Sequence, residues 1–132
     1  MSRQKLREQI FLLLFRVEFN DLSDMPEQLK LFLEDEETGR TPQDTEYITG
    51  KYEEILKKLP DLDGQLNKKA ENWNVSRMGK VELTVLRLAL YEMQYDESVP
   101  TGVAINEAVE LAKKFGQEGS GAFVNAVLAK FA

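Results

Sequence analysis

The stretch "RMGKVELTVLRLALYEMQY", residues 77–95, decides the fold. Its apolar residues fall on almost every side of a helix instead of forming one stripe: Met78, Val81, Leu83, Val85, Leu86, Leu88, Ala89, Leu90 and Met93. A helix that is apolar all round is buried on all sides. We therefore predict a central helix over 77–95, opened at Ser76 and enclosed by the other helices, with Leu86 in the core.

Helical periodicity continues on both sides of this stretch, and no segment shows the sustained alternation of a strand. Pro60 is expected to end one helix, and Asp61 to cap the next. Besides the central helix, six helices are expected, over about 3–19, 24–33, 41–60, 61–73, 101–115 and 118–131. The predicted fold is all-α, with about seven helices in a single domain spanning residues 1–132.

Composition excludes several classes of function. The chain has 132 residues and a formal net charge of −6, and it contains neither histidine nor cysteine. The commonest acid–base group, the commonest metal ligand and every thiol nucleophile are therefore missing. We expect no catalytic residue, no metal site and no cofactor. The longest apolar run, "IFLLLF" (10–15), is far shorter than the roughly 20 residues of a membrane span, so we expect a cytoplasmic protein without a membrane partner.

Three glycines lie within six residues in "GQEGSG" (116–121). A phosphate-binding glycine loop follows a strand, whereas this one follows a helix that ends in Lys113 and Lys114. We predict a tight corner in which Gly116 ends one helix and Ser120 or Glu118 begins the next. The amides of the new helix, beside two lysines, are suited to a phosphate oxygen; a plain turn is the alternative.

Charge is unevenly distributed along the chain. Residues 3–16 carry a local charge of +3, from Arg3, Lys5, Arg7 and Arg16 against Glu8, and residues 18–63 carry −9. The first helix therefore has a positive strip although the whole chain is acidic. Such a strip is either a solvated helix face or a nucleic-acid contact.

Three segments of the chain together resemble the NusB family of bacterial transcription factors. They are "RQKLREQIFLLLF" (3–15), "WNVSRMGKVELTVLRLALYEM" (73–93) and "VPTGVAINEAVELAKKFGQEGSGAFVNAVL" (99–128). The resemblance implies an all-α fold of two small packed helical bundles. It also implies binding of boxA-type single-stranded RNA together with NusE, a small-subunit ribosomal protein, within an antitermination complex on RNA polymerase that acts chiefly in ribosomal RNA operons.

The resemblance and the charge map together predict the RNA-binding residues. Phosphates are expected to meet the side chains of Arg3, Lys5, Arg7, Lys113 and Lys114. The family's "FVN" segment lies at the RNA surface, which implies that Phe123 stacks on a base and that Ser120 offers its hydroxyl and amide. Core packing is the equal alternative for Phe123.

For NusE, the positions that match the family's partner contacts are Phe15 and Glu82. The chain departs from the common family pattern at Gly119, Ala122 and Ala126, where the family has an acidic or amide residue, a basic residue and a glycine. Two alternatives stay open: a helical adaptor that only assembles proteins, for example as a homodimer, and an RNA-recruiting domain like the NusB-like segment of some RNA methyltransferases. The 132 residues contain no Rossmann-type fingerprint, so we expect no methyltransferase activity.

Overall fold

The computed structural model describes residues 1–35, 38–70 and 74–132, which contain six α-helices and no strand. The helices are α1 (Arg3–Phe15), α2 (Met25–Leu33), α3 (Pro42–Lys69), α4 (Lys80–Tyr95), α5 (Thr101–Phe115) and α6 (Ser120–Ala129). The chain divides into two compact units, Met1–Glu54 and Ile55–Ala132, and α3 runs from the first into the second. The prediction of an all-α fold is confirmed.

The first unit is held together around Phe32 on α2. Arg16 lies over the Phe32 ring with its Cζ 5.2 Å from the centroid, and Arg40 lies over it at 4.9 Å. Arg40 also donates to the Phe32 carbonyl at 2.9 Å and to the Gln9 side chain at 2.7 Å. Two guanidinium groups on one ring therefore join α2 to the segments before and after it.

Helix α3 begins with a reciprocal cap. Thr41 Oγ1 accepts from the Asp44 amide at 3.1 Å, and Asp44 Oδ2 accepts from the Thr41 amide at 2.9 Å. This is the capping-box arrangement, with aspartate in the place of glutamate and Pro42 at the first helical position. The ammonium of Met1 lies 3.2 Å from the same carboxylate. The predicted start of this helix near residue 41 is thus confirmed.

The expected break at Pro60 is wrong, because α3 continues through it to Lys69. Proline removes one backbone hydrogen bond from a helix interior. Here the apolar stripe runs on without a change of phase: Ile55, Leu59, Leu62 and Leu66 are all buried, whereas Pro60 is exposed. Burial of one continuous face therefore outweighs the lost bond, and Asp61 does not begin a new helix. Trp73 lies outside the described residues.

Helix α4 is the most enclosed element of the second unit, as predicted. Every residue from Leu83 to Leu90 is buried, and Leu86 is completely inaccessible. Its start is later than expected, since Ser76 belongs to a 3-10 turn and Gly79 is the N-cap. Two polar residues within the buried stretch find partners: Thr84 Oγ1 donates to the Lys80 carbonyl at 2.8 Å, and Arg87 donates to Asp63 at 2.9 and 2.8 Å. Arg87 and Asp63 therefore form an ion pair within the second unit.

In the described part of the chain, no helix combines the length and the apolarity that a membrane crossing requires.

Leu86→Ala is expected to lower the free energy of unfolding by about 2–5 kcal/mol, because it removes buried contacts and leaves a cavity. Chemical denaturation followed by circular dichroism measures this. Leu31→Ala is the matched control, since Leu31 is 46% exposed. Equal stability of the two variants would contradict the central position of α4.

The carboxylate of Asp44 makes the stability of the protein depend on pH in the acid range. The amide of Thr41 holds the pKa of Asp44 below its usual value of 3.8, and the terminal ammonium adds to this. A lowered folded-state pKa stabilises the protein above the unfolded pKa, and that stabilisation is lost as the pH falls through the folded pKa. Asp44→Asn should therefore destabilise the protein at pH 7, and the difference should vanish once the pH has fallen through the lowered folded-state pKa of Asp44.

Urea denaturation between pH 2 and pH 7 measures the difference between parent and variant. Glu46→Gln, which changes an exposed carboxylate two residues further along α3, is the control and should leave the profile unchanged. A pH-independent difference for Asp44→Asn would show that its carboxylate charge does not stabilise the cap.

Candidate functional site

The positive strip of the first helix is concentrated at the start of α1. Ser2 caps this helix by accepting from the Lys5 amide at 3.1 Å, and Arg3 and Lys5 are exposed. Arg7 is only 8% exposed and takes part in an interaction within the protein. Arg3 and Lys5 are therefore the cations of the strip that the structure presents to solvent, whereas most of Arg7 is withdrawn from it.

The position of these cations is unfavourable for the helix itself. The N-terminal end of a helix carries a partial positive charge, so acidic residues stabilise it and basic residues do not. The first turn of α1 contains no acidic residue. Its cations and its helix dipole therefore reinforce each other and produce a positive end that is suited to an anion.

In the second unit, two glycines shape the corner between α5 and α6 for different reasons. Gly116 ends α5 with an extended backbone, and a Cβ there would lie 2.6 Å from both the Ala112 carbonyl and the Ser120 hydroxyl. Gly119 has a φ of 89°, in the left-handed region that glycine adopts without strain. The predicted tight corner is confirmed, and the second helix begins at Ser120.

Lys113 lies against the new helix. A Cβ on Gly121 would be 3.2 Å from Lys113 Cγ, so the glycine leaves room for the lysine stem to pass beside α6. The ammonium of Lys113 stays exposed and is 3.8 Å from Glu110, a weak surface pair. Lys114, also exposed, lies beside the Phe115 ring. Both predicted phosphate contacts are thus accessible at the end of α5.

Ser120 and Glu82, predicted for different roles, are hydrogen-bonded to each other. Ser120 Oγ donates to Glu82 Oε1 at 2.6 Å and accepts from the Gln117 amide at 3.0 Å. The Ser120 amide donates to the Gln117 carbonyl at 3.0 Å, and the residue is 4% exposed. Its hydroxyl and amide therefore serve the corner itself, and Glu82 ties the start of α4 to the start of α6. Sequence reasoning missed this link.

Phe123 lies at the edge of the buried face of α6. The buried residues of this helix include Val124, Val127 and Leu128, and its exposed residues include Ala122 and Asn125. Phe123 is half-buried. Its ring belongs neither wholly to the core nor wholly to solvent. A ring held on one side and accessible on the other is suited to stacking.

An open groove of about 660 Å³ lies between α5 and α6. Asn106 on α5 and Asn125 on α6 line it, together with Lys113, Ala122 and two carboxylates, those of Glu107 and Glu110. The side chains of Asn106 and Asn125 are exposed hydrogen-bonding groups. Sequence reasoning did not single out Asn106 and reached Asn125 only as part of the "FVN" segment. Among the described residues, no group of acidic side chains is placed to hold a metal ion.

Phe15, the predicted partner contact of the first unit, is the middle member of a row of three rings. It stacks on buried Phe11 with centroids 5.8 Å apart and meets Phe19 edge-on at 5.1 Å. Phe15 is half-buried.

The predicted RNA residues fall into two groups: Arg3, Lys5 and Arg7 in the first unit, and Lys113, Lys114, Ser120 and Phe123 in the second.

Comparison with known proteins assigns the chain to a family. A model of the NusB family matches residues 4–132. The chain is 50% identical to the transcription antitermination protein NusB of Agathobacter rectalis over the full length of both. It is 33% identical to that of Listeria monocytogenes, over 100% of this chain and 97% of the relative.

Solved structures agree with this assignment. T. maritima NusB matches with a TM-score of 0.90 and 32% identity, over 100% of this chain and 91% of that one. A chain in a complex of the antitermination factors NusB and NusE with dsRNA matches with a TM-score of 0.83 and 28% identity, over 96% of this chain and 92% of that one. The chain belongs to the NusB family.

Proposed function

We propose that this protein is a transcription antitermination factor that binds boxA-type RNA together with NusE and joins an antitermination complex on RNA polymerase in the cytoplasm. Its relatives carry the name of transcription antitermination proteins, and a similar chain occurs in a complex with NusE and dsRNA. This family is one of transcription factors and not of enzymes. We further propose that residues 1–132 act as one functional domain.

The α5–α6 corner carries the RNA part of the proposal. Helix α6 contributes the half-buried ring of Phe123 and the exposed amide of Asn125. Helix α5 contributes the exposed amide of Asn106 and the exposed ammonium groups of Lys113 and Lys114. Proteins that bind single-stranded nucleic acid commonly combine a stacking aromatic ring with flanking cations. Arg3 and Lys5 at the start of α1 supply a second, separate phosphate contact.

A second candidate function is a protein adaptor with little RNA affinity of its own. It is favoured by Ala122, which lies exposed in the groove where the resemblance leads us to expect a basic residue. The two candidates differ in the effect of restoring that cation. If the groove binds RNA, a lysine at 122 should strengthen binding.

The RNA prediction uses salt dependence to separate charge from stacking. If Arg3, Lys5, Lys113 and Lys114 neutralise about four phosphates, they should contribute about −3 to the slope of the logarithm of affinity against the logarithm of salt for a single strand. Lys5→Ala should make the slope shallower by about 0.7, and Ala122→Lys should make it steeper by the same amount. Phe123→Ala should keep the slope and cost about 1–3 kcal/mol.

Fluorescence anisotropy with boxA RNA and saturating NusE measures these values, with a double-stranded RNA of the same sequence for comparison. Lys68→Ala, an exposed lysine on α3, is the control and should bind as the parent does. Lys5 is used instead of Arg7 because Arg7 is buried and its loss affects stability as well. If Phe123→Ala and Ala122→Lys both bind RNA like the parent, the adaptor function is the correct one.

The partner prediction separates the charge of Glu82 from its hydrogen bond. Glu82→Gln keeps an acceptor for the Ser120 hydroxyl, whereas Glu82→Lys removes that acceptor and reverses the charge. If a cation of NusE pairs with Glu82, Glu82→Gln should weaken NusE binding without lowering the melting temperature. Glu82→Lys should weaken NusE binding and also lower the melting temperature. Ser120→Ala is the matched control: it should lower the melting temperature by a few degrees, in line with a loss of about 1 kcal/mol, and leave NusE binding intact.

Isothermal titration with NusE and thermal denaturation provide the two measurements. Parent-like NusE binding by Glu82→Gln would remove the charge of Glu82 from the interface and leave the residue as a tie between α4 and α6.

A further inference from the structure

Two large apolar side chains are exposed between α1 and α2. Phe19 ends the first 3-10 turn and is 61% exposed, and Leu22 begins the second and is 60% exposed. Phe19 is also the outer member of the row of rings that passes from Phe11 through Phe15 to the surface. Single exposed apolar residues are common, but here the exposure continues a row that already contains the predicted partner contact Phe15.

Local hydrogen bonds hold these two side chains outward. Asn20 Nδ2 donates to the Arg16 carbonyl at 2.8 Å, and the Asp24 amide donates to the Asp21 carbonyl at 2.9 Å. Arg16 itself donates to the carbonyl and to the side chain of Gln28, both at 3.2 Å. Side-chain hydrogen bonds therefore fix the first turn and a backbone hydrogen bond fixes the second, so that Phe19 and Leu22 are presented to solvent by a formed structure.

The charges around Phe19 and Leu22 select the kind of partner. Residues 16–27 contain four carboxylates, on Glu18, Asp21, Asp24 and Glu27, and one cation, Arg16, which is bound to Gln28. The side chain of Asp24 makes no capping bond to α2. An apolar surface among carboxylates repels RNA and anionic membranes, and it attracts a polypeptide rich in lysine and arginine.

We propose that Phe19 and Leu22 extend the partner contact that begins at Phe15, and that this docking segment (residues 15–22) receives a basic stretch of NusE that carries an apolar side chain. The inference rests on the proposed function, since it takes NusE as the partner. The apolar side chain packs on Phe19 and Leu22 and supplies affinity, as aromatic anchors do at interfaces. The flanking cations meet the carboxylates and speed association.

The anchor test compares Phe19→Ser and Leu22→Ser with Leu31→Ser. All three change exposed apolar residues of the first unit, and Leu31, on α2, is the control at 46% exposure. With purified NusE and the full chain, each of the first two should weaken binding about tenfold or more, and Leu31→Ser should bind within about twofold of the parent. Far-UV circular dichroism and melting temperatures should remain those of the parent.

The charge test uses the pair Asp21→Asn and Asp24→Asn in one chain. It preserves the backbone bond between these residues, because that bond joins an amide to a carbonyl. Association with NusE at low salt should slow several-fold, and the salt dependence of the association rate should weaken. The control is Glu34→Gln with Glu46→Gln, two exposed carboxylates outside the acidic stretch of residues 16–27, and should associate like the parent.

The outcomes distinguish this inference from the proposed function. If Phe15→Ala weakens NusE binding but Phe19→Ser and Leu22→Ser do not, the interface stops at Phe15 and the inference is overturned while the proposed function stands. If the parent does not bind NusE at all, both the inference and the partner part of the proposed function fail. Loss of RNA binding by Phe19→Ser in the absence of NusE would also overturn the inference, because it would assign the segment to RNA.

Discussion

The second unit depends on the burial of the middle of α4 on all of its sides. An ordinary surface helix buries a single stripe, whereas eight consecutive residues of α4, Leu83–Leu90, are buried. Helices α5 and α6 both contact α4, and Arg87 can enter the buried stretch because Asp63 meets its guanidinium with two hydrogen bonds. A buried charge without such a partner would be strongly destabilising. The positions of α5 and α6, and hence of the corner between them, follow from the need to cover α4.

The corner holds the residues that we propose for RNA binding, and one polar link fixes the corner. Ser120 is engaged with Glu82 and with Gln117, and the missing side chain of Gly116 leaves space for its hydroxyl. What the corner offers to a ligand is therefore an aromatic ring, side-chain amides and ammonium groups, rather than the Ser120 hydroxyl. Glu82 is also the expected partner contact. A partner that moves its carboxylate would therefore also move Ser120 and the first turn of α6, which contains Phe123.

Sequence patterns identified the features that depend on near neighbours. The all-round apolar character of α4, the Thr41–Pro42 start of α3 and the glycine corner were predictable because capping and periodicity are local. The prediction of a helix end at Pro60 was wrong because the apolar stripe from Ile55 to Leu66 is buried, and this tertiary burial keeps the helix continuous. The burial of Arg7 and the bond between Glu82 and Ser120, which are 38 residues apart, depend on how distant segments meet. No spacing rule in a single sequence encodes these contacts.

The acidic total charge and an RNA ligand are compatible because charge acts locally. At physiological salt the screening length is about 8 Å, so a phosphate responds to nearby side chains more than to the net charge. Arg3 and Lys5 stand at the positive end of a helix dipole, and Lys113 and Lys114 end α5. Between these cations in the sequence lies the −9 segment of residues 18–63. A basic partner that neutralises carboxylates of this segment would lower the residual repulsion of RNA, and by linkage RNA would then tighten partner binding by the same factor.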